Sequence, residues 1–116
     1  MVTERKPSAA TRALLIALLD FPVEEGTWGR NLAAASGLAG GTVYPILTRL
    51  EQRGVVESAD EEIDPVELGR PARRYWRFTH SGLQYARQLR AELDANRRQA
   101  VSSAGSDRAL KWGRLI

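Results

Sequence analysis

Two short stretches carry the side chains able to do chemistry, and that chemistry is hydrogen bonding and charge pairing rather than bond breaking. The first is "GGTVYPILTRLEQRG", Gly40 to Gly54. Its two glycines let a backbone approach a ligand closely. Thr42 and Tyr44 add hydroxyl donors, Pro45 follows at once, and Thr48 and Arg49 come one turn later. With Thr42 as the cap of a helix, Pro45 is the third helical residue and removes an N–H that has no intrahelical partner. The free N–H groups of that turn and the positive end of the helix dipole favour an anion such as a phosphate. Ile46, Leu47 and Leu50 fall on the inward face, Thr48 and Arg49 on the outer one. The second stretch is "GRPARRYWRFT", Gly69 to Thr79. It sets Arg70, Arg73, Arg74 and Arg77 just after the acidic run Asp60, Glu61, Glu62, Asp64 and Glu67. Arg70 and Arg73 in such a cluster suit a minor groove or phosphates. The same arginines could instead pair with the neighbouring acids in a solvated hairpin.

Other chemistry is poorly provided for. There is no cysteine, so disulfides, thiolate metal sites and cysteine nucleophiles are excluded. His80 is the sole histidine and has no partner for a zinc set. The carboxylates of "DEEIDPVE" lack a rigid, buried frame to tune a general acid. "GLAGG" is not followed by the Lys-Ser/Thr of a phosphate loop, and no serine has a histidine at a nucleophile's spacing. No enzyme activity, metal or cofactor is expected. Net charge is +3, from 17 cationic and 14 acidic residues, which permits a polyanionic partner without requiring one. All the cations but Lys6 and Lys111 are arginine, the residue suited to bidentate contacts with phosphate and guanine. The longest apolar run, near Ala13–Leu19, falls short of the roughly 20 residues that span a bilayer. It reads as a helix of the mature protein, not a leader. Lack of cysteine fits a reducing compartment, so the expected location is cytoplasmic, away from membranes.

The elements that must hold these two stretches follow from periodicity and punctuation. Ser8 caps a helix to Leu19 with a Leu14, Leu15, Leu18, Leu19 stripe, ended by Phe21-Pro22. Thr27 caps a second helix to Ser36, closed by Gly37. The third runs from Thr42 to Arg53 and stops at Gly54. A short strand, Val55–Ser58, leads through the acidic loop to the returning strand "RRYWRFT", whose Trp76 and Phe78 share the inward face. Thr79 caps a long helix over His80–Ala100. "SSAGSD" then predicts a break before a tail that contains Trp112. The fold class is mainly α with a small β-hairpin, a winged helix-turn-helix followed by a long C-terminal helix. The expected division is residues 1–79 for DNA binding, 80–101 for dimerisation and 102–116 for the tail. Ala86, Leu89 and Leu93, with Ala100 beyond, make a heptad-like seam that a small domain alone does not satisfy. Together with Leu14 and Leu18 of the first helix, they are the candidate dimer contacts. Trp28, Trp76 and Trp112 could line an aromatic pocket, but core packing is the simpler reading.

The two stretches together resemble the PadR family of bacterial transcriptional regulators. "GTVYPILTRLEQRG" matches that family's third-helix motif of Gly-Thr-hydrophobic-Tyr-Pro-x-Leu-x-Arg-Leu-Glu and a following Gly. "GRPARRYWRFTHSG" matches its wing, and the similarity covers about Thr11 to Leu93. The chain departs from the pattern in having Trp28-Gly29 where the family often has Gly-Tyr, and in its acidic wing. Its single long C-terminal helix resembles the family's short members. The resemblance implies a homodimer that binds a pseudo-palindromic stretch of double-stranded DNA, acts as a repressor, and touches DNA through Thr42, Tyr44, Pro45, Thr48, Arg49, Arg70 and Arg73. A small-molecule effector or a protein partner is left open. The rival readings are an adaptor that uses its acidic wing for protein contact and a small-molecule-sensing regulator.

Overall fold

The computed structural model describes the backbone of residues 6–115 and the side chains of residues 6–102. Helix α1 spans Ala9–Leu18, and the Ser8 hydroxyl caps it by accepting from the Thr11 N–H at 3.1 Å. Leu14, Leu15 and Leu18 come from successive turns of one face and are buried.

The next segment differs from its prediction. Thr27 and Trp28 form a short strand, β1, and helix α2 spans Gly29–Ser36. Thr27 is therefore not a helix cap. It lies opposite Trp76 in the sheet, 1% exposed, and its hydroxyl accepts from the Asn31 side-chain amide at 2.9 Å. The reason is tertiary: a β-branched and an aromatic residue fit a pleated edge, and strand β3 offers them one. Gly37, left-handed at φ 76°, closes α2 as expected.

Helix α3 spans Gly40–Gln52 with Ala39 as its cap residue. Its cap lies three residues ahead of the predicted cap, Thr42, because the Thr42 and Val43 N–H groups both donate to the Ala39 carbonyl. Pro45 is consequently the sixth helical residue rather than the third. Its missing N–H falls opposite the Gly41 carbonyl, which belongs to an exposed residue and can be hydrated.

Strand β2 covers Val56–Asp60 and β3 covers Arg74–Phe78, paired antiparallel from Val56–Phe78 to Asp60–Arg74. With β1 on the far side of β3, the hairpin is a three-stranded sheet in the order β1-β3-β2. A single turn, α4, Pro65–Leu68, sits in the wing loop with the Asp64 carboxylate capping it at the Val66 N–H. The core joins Leu14, Leu15, Leu18, Leu32, Val43, Ile46, Leu47, Leu50, Val55, Val56, Trp76, Phe78 and Ala86.

Helix α5 runs from His80 to Leu115, about 54 Å at 1.5 Å per residue. Thr79 ties its start to the end of α3: the hydroxyl accepts from the Gly82 N–H at 3.0 Å and donates to the Gly54 carbonyl at 2.6 Å. The backbone shows no break at "SSAGSD", since one glycine costs a helix only about 1 kcal/mol. Trp112 lies outside the described side chains. Ala86, Leu14 and Leu18 are at most 2% exposed within a single chain. They belong to the core of the single chain. Leu89 and Leu93 keep part of their surface.

Candidate nucleic-acid interface

Helix α3 turns about 100° per residue, which sorts its side chains into a core face, an outward face and two shoulders. Val43, Ile46, Leu47 and Leu50 are the core face. Directly opposite stand Gly41, Pro45, Thr48 and Gln52, all exposed. The Thr48 hydroxyl donates to the Tyr44 carbonyl at 3.0 Å. Thr42 and Arg49 occupy the shoulder nearer α1. There Arg49 lines a cleft of about 200 Å³ with Lys6, Arg53, Ser8, Thr11 and Tyr85. Tyr44 and Glu51 occupy the shoulder nearer the wing. Glu51, the one acid of α3, is held there by the Ser58 hydroxyl at 2.7 Å.

Tyr44 does not project straight out from α3. Its ring lies back over the start of α2, so close to Gly29 that a methyl group there would sit 2.6–2.7 Å from ring carbons and the phenol oxygen. Yet the residue keeps 49% of its surface. Trp28 supplies no side-chain cap to α2, so the first N–H groups of that helix are free of intrahelical partners. The phenol, the start of α2 and the base of the wing enclose a cleft of about 450 Å³. Trp28, Gly29, Arg30, Tyr44 and Arg70 to Arg74 line it.

The wing arginines divide in a way their spacing did not reveal. Arg70 is taken up by Glu61 in a two-pronged pair, Nη1–Oε1 2.7 Å and Nη2–Oε2 3.0 Å, and its side chain is one-third exposed. Glu61 Oε1 also accepts from the Arg73 N–H at 3.2 Å. Hydrogen bonding from Arg70, helped by the Arg73 N–H and opposed by partial burial, holds the Glu61 carboxyl down to about 2. The same bond raises the Arg70 guanidinium above its ordinary value. Arg74 pairs with Asp60 and Arg77 with Glu57. Two-pronged carboxylate geometry engages the Arg70 fork inside the wing. Asp60, Glu61 and Asp64 of the acidic run serve the wing's own construction. Arg73 has no acidic partner among the described residues. Its guanidinium carbon sits 4.2 Å from the centre of the Trp28 ring, which meets Tyr75 edge-on at 5.6 Å.

Of the residues expected to contact DNA, the fold leaves Thr42, Pro45, Thr48 and Arg49 exposed along α3, with Tyr44 and Arg73 in the wing cleft. Gln52 shares that exposed face, and Arg30 and Trp28 line the same cleft as Tyr44 and Arg73. Gln52 was within reach of sequence reasoning, because the spacing Pro45, Thr48, Gln52 is one helical face. Trp28 stands out in the sequence as a departure from the family's Gly-Tyr pair and as a possible pocket residue, but its place beside Arg73 depends on pairing between β1 and β3.

A model of the PadR-like family of transcriptional regulators matches residues 30–88, just over half of the chain and the span that holds both motifs. The chain belongs to the PadR-like family. Comparison of this PadR-like chain with curated proteins returned no match. Among solved structures it is similar to PcaV, a transcriptional regulator of Streptomyces coelicolor determined with its natural ligand. That match has TM-score 0.70 and 21% identity, over 97% of this chain and 73% of PcaV. It is also similar to a MarR-family regulator from a Rhodococcus species, with TM-score 0.62 and 22% identity over 82% of this chain and 61% of that one. A third is MepR, a transcription regulator of the Staphylococcus aureus multidrug efflux pump MepA, with TM-score 0.63 and 20% identity over 83% and 64%. The PadR-like chain spans less than two thirds of the last two. These likenesses establish the winged-helix fold. Among the described residues, no helix is long and apolar enough to cross a membrane.

Proposed function

We propose that the chain is a cytoplasmic, DNA-binding transcriptional repressor that works as a homodimer on a pseudo-palindromic operator. The observation that carries this is the outward face of α3. Pro45, Thr48 and Gln52 stand free there with no acid between them, flanked by one arginine-lined cleft on each shoulder. An α-helix of that profile fits the roughly 12 Å major groove, where Thr and Gln read base edges and the shoulders meet the phosphates of the two strands. Thr42, Tyr44, Arg49 and Arg73 are assigned to the phosphates. Arg70 is assigned to holding the wing in shape.

The dimer is assigned to α5 and the free surface of α1, with Leu89 and Leu93 as apolar contacts. Residues 6–79 and the first turns of α5 form the DNA-binding unit, and the rest of α5 sets the spacing. A small-molecule effector belongs to the proposal by analogy with PcaV, and would act by changing the separation of the two α3 helices. Selection of bound duplexes from a random pool tests the whole reading. The expected product is a symmetric site with half-sites about one helical turn, roughly 34–36 Å, apart. Failure to enrich any sequence, or affinity indifferent to salt, rejects it.

A further inference from the structure

We propose that Trp28 is a positioning residue of the DNA interface. By stacking against the Arg73 guanidinium it holds that cation over the start of α2, where Arg73, Arg30 and the Tyr44 hydroxyl line one seat for a backbone phosphate of the duplex. The inference rests on the DNA-binding reading and goes beyond it in naming the seat and the group that fixes it.

Arg73 is the last residue before β3, and a long side chain there samples many rotamers unless something holds it. Arg70 and Arg74 on either side are held by Glu61 and Asp60. Arg73 is held by an aromatic face instead, at 4.2 Å. The difference matters chemically. A carboxylate partner occupies the guanidinium's donors, whereas a ring stacks on its flat face and leaves every N–H free for a phosphate. Trp28 is itself fixed twice: its backbone is in register with Tyr75 across β1–β3, and its ring meets the Tyr75 ring edge-on. The other donors come from elements the same residue organises. Trp28 is the cap residue just before α2 and makes no side-chain cap, which leaves the first N–H groups of that helix free, and Arg30 follows two residues later. The missing Cβ at Gly29 admits the Tyr44 ring to the same cleft. Arg30, like Arg73, has no acidic partner among the described residues. The cleft thus gathers donors and cations and no free carboxylate, which is the composition a phosphate oxyanion requires.

The test is the salt dependence of binding to the duplex selected with the parent protein. Each phosphate contact contributes about 0.9 to the slope of log affinity against log salt. Trp28→Leu and Arg73→Gln are each expected to lower affinity by about 5- to 30-fold and the slope by about one. The double variant is expected to lose little more than either single one, because the two residues act as a unit. Trp28→Phe keeps a stacking face and is expected to retain the parental slope. A folded Trp28→Leu with the parental slope, or additive losses in the double variant, overturns the proposal. If Trp28→Leu does not fold, Arg73→Gln decides alone: the parental slope in that variant is equally fatal. A parent that binds no duplex instead rejects the DNA-binding reading itself, so the two failures are distinguishable.

Discussion

Glu61 and Arg70 form a pair whose two possible roles lead to opposite outcomes on mutation. If Arg70 touched DNA directly, Glu61→Gln would release it and tighten binding. With Arg70 acting as a brace, Glu61→Gln and Arg70→Ala both loosen the wing, and both are expected to weaken DNA binding in a fluorescence anisotropy titration. The pair also predicts a pH response. The folded Glu61 carboxyl sits near 2, below the ordinary 4.5. In the window between them the unfolded chain binds more protons, so stability falls as pH falls. The wing should be unaffected from neutral pH down to about 4.5 and lose protection progressively toward 2. Amide exchange of β2 and β3 would show this, and Glu61→Gln should abolish that dependence. At the outward face, Gln52→Ala is expected to relax one base position of the selected site, at about 1–3 kcal/mol of discrimination if the amide pairs bidentately with adenine. Unchanged base preference would remove Gln52 from the reading face.

The elements are coupled through contacts that admit no extra atoms. Gly82 of α5 lies against Val55, and a methyl group there would collide with the Val55 carbonyl oxygen. Alanine is the better helix former by about 1 kcal/mol, yet here overlap with backbone wins. Gly82→Ala is expected to destabilise the fold by about 1–3 kcal/mol, read as a lower midpoint in urea. Gly41 is the opposite case. It is helical, exposed and surrounded by open space, so Gly41→Ala should gain up to about 1 kcal/mol of stability. Because position 41 faces outward beside Pro45, the same methyl is expected to weaken DNA binding. A variant that is more stable and binds as well as the parent would show that α3 does not approach the groove by this end.

For the whole molecule the decisive feature is the connection from the end of α3 through Gly54, Val55 and Thr79 into α5. It makes the direction of the long helix depend on that of α3, so a second copy held along α5 would fix the distance between two α3 helices. Leu89→Asp with Leu93→Asp is expected to give a monomer in sedimentation and to lose the gain in affinity of a symmetric site over a half-site. An unchanged sedimentation coefficient would move the interface elsewhere.

Local chemistry was enough to place much of this protein. Ser8, Gly37, Gly54 and Thr79 punctuate the helices as their side chains and backbone freedom dictate, and Trp76 and Phe78 fall inward because a strand alternates faces. The α3 and wing motifs carried the family with them. What depended on residues far apart in the chain stayed hidden. Thr27 and Trp28 became a strand only because β3 had a free edge. Pro45 lay deeper in its helix because Ala39 could accept two N–H groups. Arg70 met Glu61 and Arg73 met Trp28 because the folded wing brought them together. Spacing along a chain fixes which face a residue takes, whereas its partner is decided by the competition among all groups that the fold brings within reach.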